Sequence, residues 1–260
     1  MLPDLTRLFD LTGKAALVTG AGSGLGRAIA EGLAQFGAAV SVVDVRREAA
    51  EAAAGDIVRA GGKAIALGCD VTQRAQVEAA VARTAAEYGK VDVLAAVAGI
   101  GDRNPAEDMT EAQWDRVVEV NLKGVWLMNQ AVGKHMIATG GGGSLINMGS
   151  IAGQVGLRTG NANYGASKGG VIALTRTLAI EWARFNIRVN AIAPVQFKTP
   201  LALRLIEQKP ETLEYFLSRI PLGRLGEVWE IVGPAVFLAS NASTMVTGIV
   251  LNVDGGHTAE

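Results

Sequence analysis

A regular alternation of short apolar segments with amphipathic segments restricts the fold of this chain more than any other feature of its sequence. Apolar segments of strand length occur at 14–20, 38–44, 63–70, 91–99, 143–150, 187–194 and 248–256. Between the first two of them, Ile29, Leu33 and Phe36 recur at the spacing of a helix face. Strands that are apolar along most of their length are typical of a parallel sheet covered by helices on both faces. The pattern therefore predicts an α/β fold with a doubly wound parallel sheet of about seven strands.

The composition favours one domain that handles a small molecule. A chain of 260 residues with 49% hydrophobic residues can bury a large core, and α/β domains of this size are common. The formal net charge of −1 argues against nucleic acid or an anionic membrane as a partner. Cys69 is the only cysteine, which excludes an intramolecular disulfide, and the N-terminus lacks the apolar core of a signal peptide. We expect a single domain over residues 1–260, located in the cytoplasm.

The segment TGAGSGLG, at 19–26, lies where the first predicted strand meets the helix that follows it. A helix start directs free N–H groups and a positive dipole end at a bound phosphate. Gly20 would permit a tight turn, Gly24 a close approach of the backbone to a pyrophosphate, and Gly26 close packing of helix on strand. Asp44 ends the next strand 18 residues beyond Gly26, near the offset at which a carboxylate binds a ribose. This unit predicts a dinucleotide site.

The residues around Asp44 bear on which dinucleotide binds. A carboxylate at this position repels a 2′-phosphate, which favours NAD over NADP. Arg46 and Arg47 follow and could pair with that phosphate, so NADP stays the less favoured alternative. Asp70, at the end of the third predicted strand, would either contact the adenine or cap the following helix together with Thr72.

The segment YGASK places Tyr164 and Lys168 four residues apart, on one face of a helix. Ser150 ends the strand GSLINMGS, at the sheet edge where ligands of open α/β folds bind. Hydride exchange between a secondary alcohol and a nicotinamide needs a base, but a free tyrosine with a pKa of about 10 is mostly protonated at neutral pH. The Lys168 ammonium, together with the positive nicotinamide, could lower the pKa of Tyr164 far enough. Ser150 could then stabilise charge on the substrate oxygen.

These segments closely resemble the short-chain dehydrogenase/reductase family. The matching segments, in chain order, are TGAGSGLG, Asp44, CDV at 69–71, AG at 98–99, Asn121, Ser150, Tyr164 with Lys168, RVNAIAP at 188–194, Thr199 and VDGG at 253–256. The resemblance implies a Rossmann-type sheet, a homotetramer and a catalytic tetrad of Asn121, Ser150, Tyr164 and Lys168, in which Asn121 holds a water that relays protons from Lys168. The cofactor site that it implies is formed by Gly20, Ser23, Gly24, Leu25, Gly26, Asp44, Asp70, Val71, Ala98, Gly99, Tyr164, Lys168, Pro194, Phe197 and Thr199.

Three features of the chain depart from the family pattern. Ala96 and Val97 occupy positions where the family usually has two asparagines that brace the central strand. Val195 replaces a usual glycine, and its branched side chain would lie close to the nicotinamide. The loop from Ser150 to Tyr164 is one residue longer than expected. We therefore expect intact catalytic groups in a pocket of altered shape.

Three loops at the same sheet edge should bind the substrate, namely those near 100–110, 151–163 and 195–220. Their candidate substrate residues are Gln154, Arg158, Asn161 and Gln196, and Arg103 belongs to the same loops. Polar side chains of this kind suit a hydroxylated substrate that could be anionic. The chain also resembles family members that act on polyols, sugars and sugar acids, which implies oxidation of a secondary alcohol with Tyr164 as general base. Two alternatives stay open: reduction of a cyclic or hydrophobic ketone, and a catalytically silent NAD-binding sensor.

Hydrolytic and metal chemistry are disfavoured by their sequence context. GASKG, at 165–169, satisfies the nucleophile-elbow pattern of serine hydrolases, but a polar loop and not a strand precedes it. His135 and His257 show no metal-ligand spacing, so we expect no metal, with His135 on a helix face and His257 on the surface.

The helix predicted around 171–185 is apolar over most of its circumference. Its large apolar residues are Val171, Ile172, Leu174, Leu178, Ile180 and Trp182. Such a helix is either deeply buried or shared with a second subunit. Together with the resemblance, this predicts a homo-oligomer.

Overall fold

The computed structural model describes residues 4–158 and 160–259 and contains one parallel sheet of seven strands. The strands are β1 (Ala15–Thr19), β2 (Ala39–Asp44), β3 (Lys63–Gly68), β4 (Val93–Ala96), β5 (Gly143–Met148), β6 (Ile187–Pro194) and β7 (Val250–Val253). They lie in the order β3-β2-β1-β4-β5-β6-β7. The chain thus winds one way from β1 and the other way from β4, which opens a crevice at their carboxyl ends. The predicted doubly wound sheet is confirmed.

Helices cover both faces of this sheet. In the described part of the chain they are α1 (Gly24–Gln35), α2 (Arg47–Arg59), α3 (Arg74–Tyr88), α4 (Glu111–Val118), α5 (Gly124–Thr139), α6 (Ala162–Trp182), α7 (Pro200–Gln208), α8 (Glu211–Leu217) and α9 (Val232–Ala239). Successive strand residues point to opposite faces. Ala16 and Val18 therefore pack with α1, α2 and α9, while Leu17 packs with α3, α5 and α6. None of the helices within 4–158 and 160–259 has the length and apolar character needed to span a membrane.

The two edge strands differ from the expectation that every strand is buried. Residues of β3 and β7 are mostly half-buried or exposed, whereas β1, β4 and β5 are buried almost throughout. An edge strand has a neighbour on one side only, so helices cover it less completely. The hydrophobic pattern identified these strands but overestimated their burial.

Thr19 braces the central strands where the family usually places asparagines. Its Oγ1 accepts hydrogen bonds from the backbone N–H groups of Val97 and Ala98, at 3.0 and 3.1 Å. These bonds tie the end of β1 to the segment that follows β4. Val97, which replaces one of those asparagines, packs against the core on the α1 side of the sheet. The replacement therefore leaves the segment anchored by its backbone.

The contact between α1 and α9 leads to a prediction about stability. A Cβ added at Gly32 would lie 2.3 Å from Val232 Cγ1, so Gly32→Ala would overpack the contact. We expect a loss of about 1–3 kcal/mol in the free energy of unfolding, measured by urea denaturation. At exposed Gly233 in α9, no described atom outside its chain neighbours and its own helix backbone lies within 4 Å of an added Cβ. Gly233→Ala should therefore be neutral or stabilise by up to about 1 kcal/mol, and equal losses in both variants would contradict the prediction.

Candidate active site

A cavity of about 790 Å³ lies at the carboxyl ends of the central strands. All of the predicted cofactor residues line it, from Gly20 after β1 to Thr199 at the start of α7. Ser150, Tyr164 and Lys168 line it as well. The structure thus brings the predicted cofactor residues and three of the four predicted catalytic residues to one space.

The glycine loop has the shape needed to receive a pyrophosphate. Gly20 and Gly24 have φ angles of +64° and +56°, in the left-handed region that favours glycine. A Cβ at Gly26 would lie 2.2 Å from the carbonyl oxygen of Gly20, so only glycine lets α1 begin this close to the end of β1. Across the loop, Thr199 Cγ2 would lie 3.5 Å from a Cβ on Gly24. The residues present therefore fit a dinucleotide between the start of α1 and Thr199.

Asp44 is buried and supports the glycine loop from the end of β2. Its Oδ2 accepts a hydrogen bond from the Gly22 N–H and its Oδ1 one from the Arg46 N–H, both at 3.0 Å. The Arg46 guanidinium turns back toward it, with Nε 3.7 Å from Asp44 Oδ1 and Nη2 3.4 Å from Ser23 Oγ. A carboxylate and an arginine therefore share the region where the adenosine ribose is expected.

Asp70 organises the turn before α3. Its Oδ1 accepts hydrogen bonds from the N–H and the hydroxyl of Thr72, at 2.9 and 2.8 Å. The residue before the first turn of α3 is Gln73, so Asp70 is not the N-cap of that helix. Asp70 also lines the cavity. It therefore stabilises the turn and, at the same time, lies where the adenine is predicted to bind.

Ser150, Tyr164 and Lys168 come together from two elements. Ser150 follows β5 and starts a short 3₁₀ turn, where its Oγ accepts a hydrogen bond from the Ala152 N–H at 3.1 Å. Tyr164 and Lys168 lie one turn apart on α6, with Lys168 Nζ 5.6 Å from the centre of the tyrosine ring. Lys168 Nζ donates a hydrogen bond to the carbonyl oxygen of Met148 at 2.7 Å.

Burial dominates the electrostatics of this group. It lowers the pKa of Lys168 from 10.5 to about 8. It also raises the pKa of the Tyr164 phenol, while the Ser150 hydroxyl and the positive charge of Arg103 oppose that rise. Below a pH of about 8, Lys168 therefore places a positive charge beside the Tyr164 phenol. In the protein without cofactor, this phenol stays protonated because burial raises its pKa.

Asn121 lies behind the cavity wall. It belongs to a π-helical segment, Glu119–Lys123, between α4 and α5. Its amide accepts a hydrogen bond from the Ile100 N–H at 2.8 Å and donates to the Ile100 carbonyl at 2.9 Å and to Ser167 Oγ at 3.3 Å. A Cβ at Gly99 would lie 3.2 Å from Asn121 Oδ1 and 3.5 Å from Lys168 Nζ. The side chain thus fixes the loop beside Lys168, and no local sequence pattern indicated this pairing.

The candidate substrate residues are only partly brought together. Gln196 and Asn161 line the large cavity. Gln154 does not, because its side chain donates a hydrogen bond to Asn252 Oδ1 at 2.7 Å. Arg158 lines a second cavity of about 440 Å³, next to Pro105 and Gly165. The structure therefore does not bring Gln154 and Arg158 to the large cavity; Thr159 of this loop lies outside the described residues.

Most of the apolar side chains in the cavity wall were missed as candidate site residues. Arg103 lines the large cavity near Tyr164, together with the apolar side chains of Ile100, Leu157, Val195, Leu201, Leu205 and Phe216. Val195 also packs against the small core cluster that contains Phe216, so the branched side chain forms part of the wall as expected. The helices after Thr199 supply much of this wall, and their position depends on contacts that no local pattern reveals.

His257 corrects a sequence prediction, since it is buried although we expected it on the surface. It lies beside Asp254, whose carboxylate oxygens accept hydrogen bonds from the N–H groups of Gly256 and Thr258 at 3.0 and 2.9 Å. The turn after β7 therefore folds His257 inward. In the described part of the chain, no group of three or more His, Cys, Asp and Glu residues could hold a metal ion.

Comparison with known proteins agrees with this fold and site. A family profile described as Enoyl-(Acyl carrier protein) reductase matches residues 20–258. D-Threitol dehydrogenase of Mycolicibacterium smegmatis is 42% identical over 251 residues, which cover 96% of this chain and 95% of that protein. A short-chain type dehydrogenase/reductase from Mycobacterium marinum has a TM-score of 0.93 at 36% identity, covering 98% of this chain and 99% of that one. A gluconate 5-dehydrogenase from Burkholderia cenocepacia J2315, solved in complex with NADP and tartrate, has a TM-score of 0.92 at 38% identity, covering 98% of each chain.

The fold and the comparisons define the protein as an oxidoreductase that uses a nicotinamide cofactor and acts on an alcohol or a ketone. The chain belongs to the short-chain dehydrogenase/reductase family. The predicted family and the prediction of an enzyme are confirmed.

Proposed function

We propose that the protein oxidises a secondary alcohol of a polyol, sugar or sugar acid, with Tyr164 as the general base. The observation that supports this most directly is that Ser150, Tyr164 and Lys168 share one cavity with the glycine loop. When bound, the nicotinamide cofactor supplies the hydride acceptor. We further propose that residues 1–260 act as one domain, because a single sheet contains all seven strands.

Each of these side chains has a role that follows from its bonds. The Ser150 Oγ accepts a hydrogen bond from Ala152, which leaves its hydroxyl hydrogen free to donate to the substrate oxygen. Tyr164 takes the proton of the alcohol. The Lys168 ammonium uses one N–H on Met148 and stabilises the phenolate form of Tyr164 by its charge. Asn121 holds the loop at Ile100 in place through two hydrogen bonds. Gly99, the residue before Ile100, lies beside the Lys168 ammonium.

The substrate class is supported by polar residues that line the cavity and by the relatives. Gln196, Asn161 and Arg103 line the cavity and could bind hydroxyl or carboxylate groups. The relatives include a dehydrogenase of a polyol, D-threitol, and a gluconate 5-dehydrogenase solved with tartrate. These names favour a hydroxylated substrate.

A second candidate is reduction of a cyclic or hydrophobic ketone by the same groups. It is favoured by the apolar wall formed by Leu157, Leu201, Leu205 and Phe216. Assay of matched polyols, sugar acids and cyclic ketones with NAD(H) separates the two candidates; activity on hydrophobic ketones alone would exclude the first.

Replacing Tyr164 with phenylalanine tests the role of its phenol. We expect Tyr164→Phe to lower kcat by about 10²–10⁴-fold. In the wild type, oxidation needs the phenolate and reduction needs the phenol, so kcat/KM should rise with pH for oxidation and fall with pH for reduction, through the same pKa. Tyr88→Phe is the matched control, because Tyr88 is not among the residues that line the cavity and donates a hydrogen bond to the Val40 carbonyl at 3.3 Å. Full turnover in Tyr164→Phe, or equal pH trends in both directions, would exclude the mechanism.

We propose that NAD is the preferred cofactor, because Asp44 is buried at the expected ribose position while Arg46 is exposed. The cofactor preference needs a direct test, because the gluconate 5-dehydrogenase from Burkholderia cenocepacia J2315 was solved with NADP. Asp44→Ala should raise the ratio of kcat/KM for NADP to that for NAD by about 10–100-fold, since the like charge is removed. Asp70→Ala, also in the cavity wall, should leave the ratio unchanged. A wild-type preference for NADP would refute the proposal.

We propose a homotetramer in the cytoplasm. Val171, Ile172 and Leu178 of α6 are buried, but Ile180 is 80% exposed on the same helix, which suits a subunit contact. The protein uses a nicotinamide cofactor and contains a free, buried Cys69 thiol, and both features support a cytoplasmic location.

Sedimentation velocity tests the assembly. The wild type should sediment as a tetramer, and Ile180→Asp should produce smaller species because it would bury a charge in the contact. Val58→Asp, which changes an exposed valine of α2, is the control and should leave the assembly intact. A wild-type monomer at micromolar concentration would contradict the proposal.

A further inference from the structure

A line of buried polar side chains joins the strand and the helix that lead to the candidate catalytic groups. It consists of Asn129 on α5, Asn147 on β5 and Thr175 on α6, all fully buried. Asn129 Nδ2 donates a hydrogen bond to Asn147 Oδ1 at 2.7 Å, and Asn147 Nδ2 donates one to Thr175 Oγ1 at 3.0 Å. The Thr175 hydroxyl donates in turn to the Val171 carbonyl at 2.8 Å. This polar line therefore connects two helices through one strand.

The polar line lies one residue away from the hydrogen bond that holds Lys168. Asn147 is followed in β5 by Met148, whose carbonyl oxygen accepts from Lys168 Nζ at 2.7 Å. Lys168 and Thr175 are seven residues apart on α6, which places them two turns apart on the same face. Two successive residues of β5 therefore bind α6, one at the lysine and one at the threonine.

The contact between β5 and α6 determines the geometry of the candidate catalytic groups. Ser150 follows β5, whereas Tyr164 and Lys168 belong to α6. A shift of the helix along or around its axis would change the distance between Ser150 and Tyr164, and also the distance between Lys168 Nζ and the Met148 carbonyl. A misplacement of about 1 Å can lower the rate of an enzyme by about 100-fold. The reaction therefore depends on the register of these two elements.

Stability alone does not account for the polar line. Asn129 Oδ1 is buried and has no hydrogen-bond partner among the described residues, which costs free energy. Asn147 points to the same face of the sheet as Leu145, where the core cluster is apolar. Apolar side chains of similar volume would pack there without this cost. Hydrogen bonds differ from apolar contacts in having a preferred direction and length, so they favour a single register of helix on strand.

We propose that the three residues of this polar line are positioning residues, which fix α6 against β5 so that Tyr164 and Lys168 meet the reacting oxygen in one geometry. None of the three is among the described residues that line the large cavity, so they act through other side chains. The inference rests on the proposed function, since that function assigns the proton transfer to Tyr164.

Steady-state kinetics of two variants of Thr175 test this role. Thr175→Val keeps the shape of the side chain but removes the oxygen that accepts from Asn147, whereas Thr175→Ser keeps the oxygen. The substrate is the best one from a panel of polyols, sugar acids and cyclic ketones, at saturating cofactor. We expect Thr175→Val to lower kcat by about 10-fold and to change KM by less than about twofold, because the cavity wall is unchanged. Thr175→Ser should keep kcat within about twofold of the wild type.

Thr84→Val is the matched control. Thr84 is also fully buried, and its Oγ1 lies 2.8 Å from the Ala80 carbonyl oxygen and 2.9 Å from Ser41 Oγ. It therefore repeats the bonding of Thr175 but connects α3 to β2, and neither Thr84 nor Ser41 is among the described residues that line the cavity. Thr84→Val should lower the midpoint of thermal unfolding about as much as Thr175→Val while leaving kcat unchanged.

A second variant interrupts the polar line at its other end. Asn129→Leu removes the donor to Asn147 Oδ1 and should lower kcat by about 3-fold or more, again with little change in KM. This variant also tests the inference if Thr175→Val does not fold.

The outcomes separate the positioning role from the proposed function. Equal losses of kcat in Thr175→Val and Thr84→Val, or a loss in Thr175→Ser as large as in Thr175→Val, overturn the positioning role with any substrate. Activity on cyclic ketones alone excludes the proposed substrate class and leaves this comparison valid. A crystal structure of Thr175→Val needs no substrate: a longer distance between Lys168 Nζ and the Met148 carbonyl supports the role, and an unchanged 2.7 Å contact overturns it.

Discussion

Parallel pairing of all seven strands is the constraint on which the rest of this structure depends. It brings every carboxyl end to one edge of the sheet, so that residues far apart in sequence become neighbours. Gly20, Asp44, Gly99 and Ser150 lie at or just after the ends of four different strands and line one cavity. The close contact of Gly26 with the Gly20 carbonyl then lets α1 begin at this edge. The site is a consequence of the direction of the strands as much as of the side chains.

The burial of Lys168 shows that the site is held at a cost to stability. Its pKa falls to about 8 in the fold, against 10.5 for the free side chain, so the unfolded chain binds this proton more firmly. The cost is present in full below pH 8 and disappears as the pH rises toward 10.5, and it amounts to about 3 kcal/mol. The hydrogen bond to the Met148 carbonyl offsets part of it. The fold thus accepts a buried cation where Tyr164 needs one.

The sequence predicted the strands, and it predicted a set of residues that the structure brings to one cavity, because both follow from short local patterns. Apolar runs mark buried strands, and the glycine spacing marks the turn after β1. The substrate residues depended on tertiary contacts that no local pattern contains. Gln154 is drawn away by Asn252, which is 98 positions further along the chain. Phe216 lines the cavity only because the helices after Thr199 fold back over it. Strand ends were also overestimated: the apolar segment 91–99 forms a strand only over Val93–Ala96, because Thr19 holds the next residues in a loop.

Asn163 links Tyr164, the proposed general base, to the loop at 100–110, which is predicted to contact the substrate. Its amide joins the Asp102 and Gln113 carbonyls to the backbone of Tyr164. The loop at 100–110 can therefore exchange side chains, such as Arg103, without displacing the phenol, provided that this amide is kept. Over evolutionary time, such a joint allows a lineage to change the compound it consumes while its chemistry stays constant.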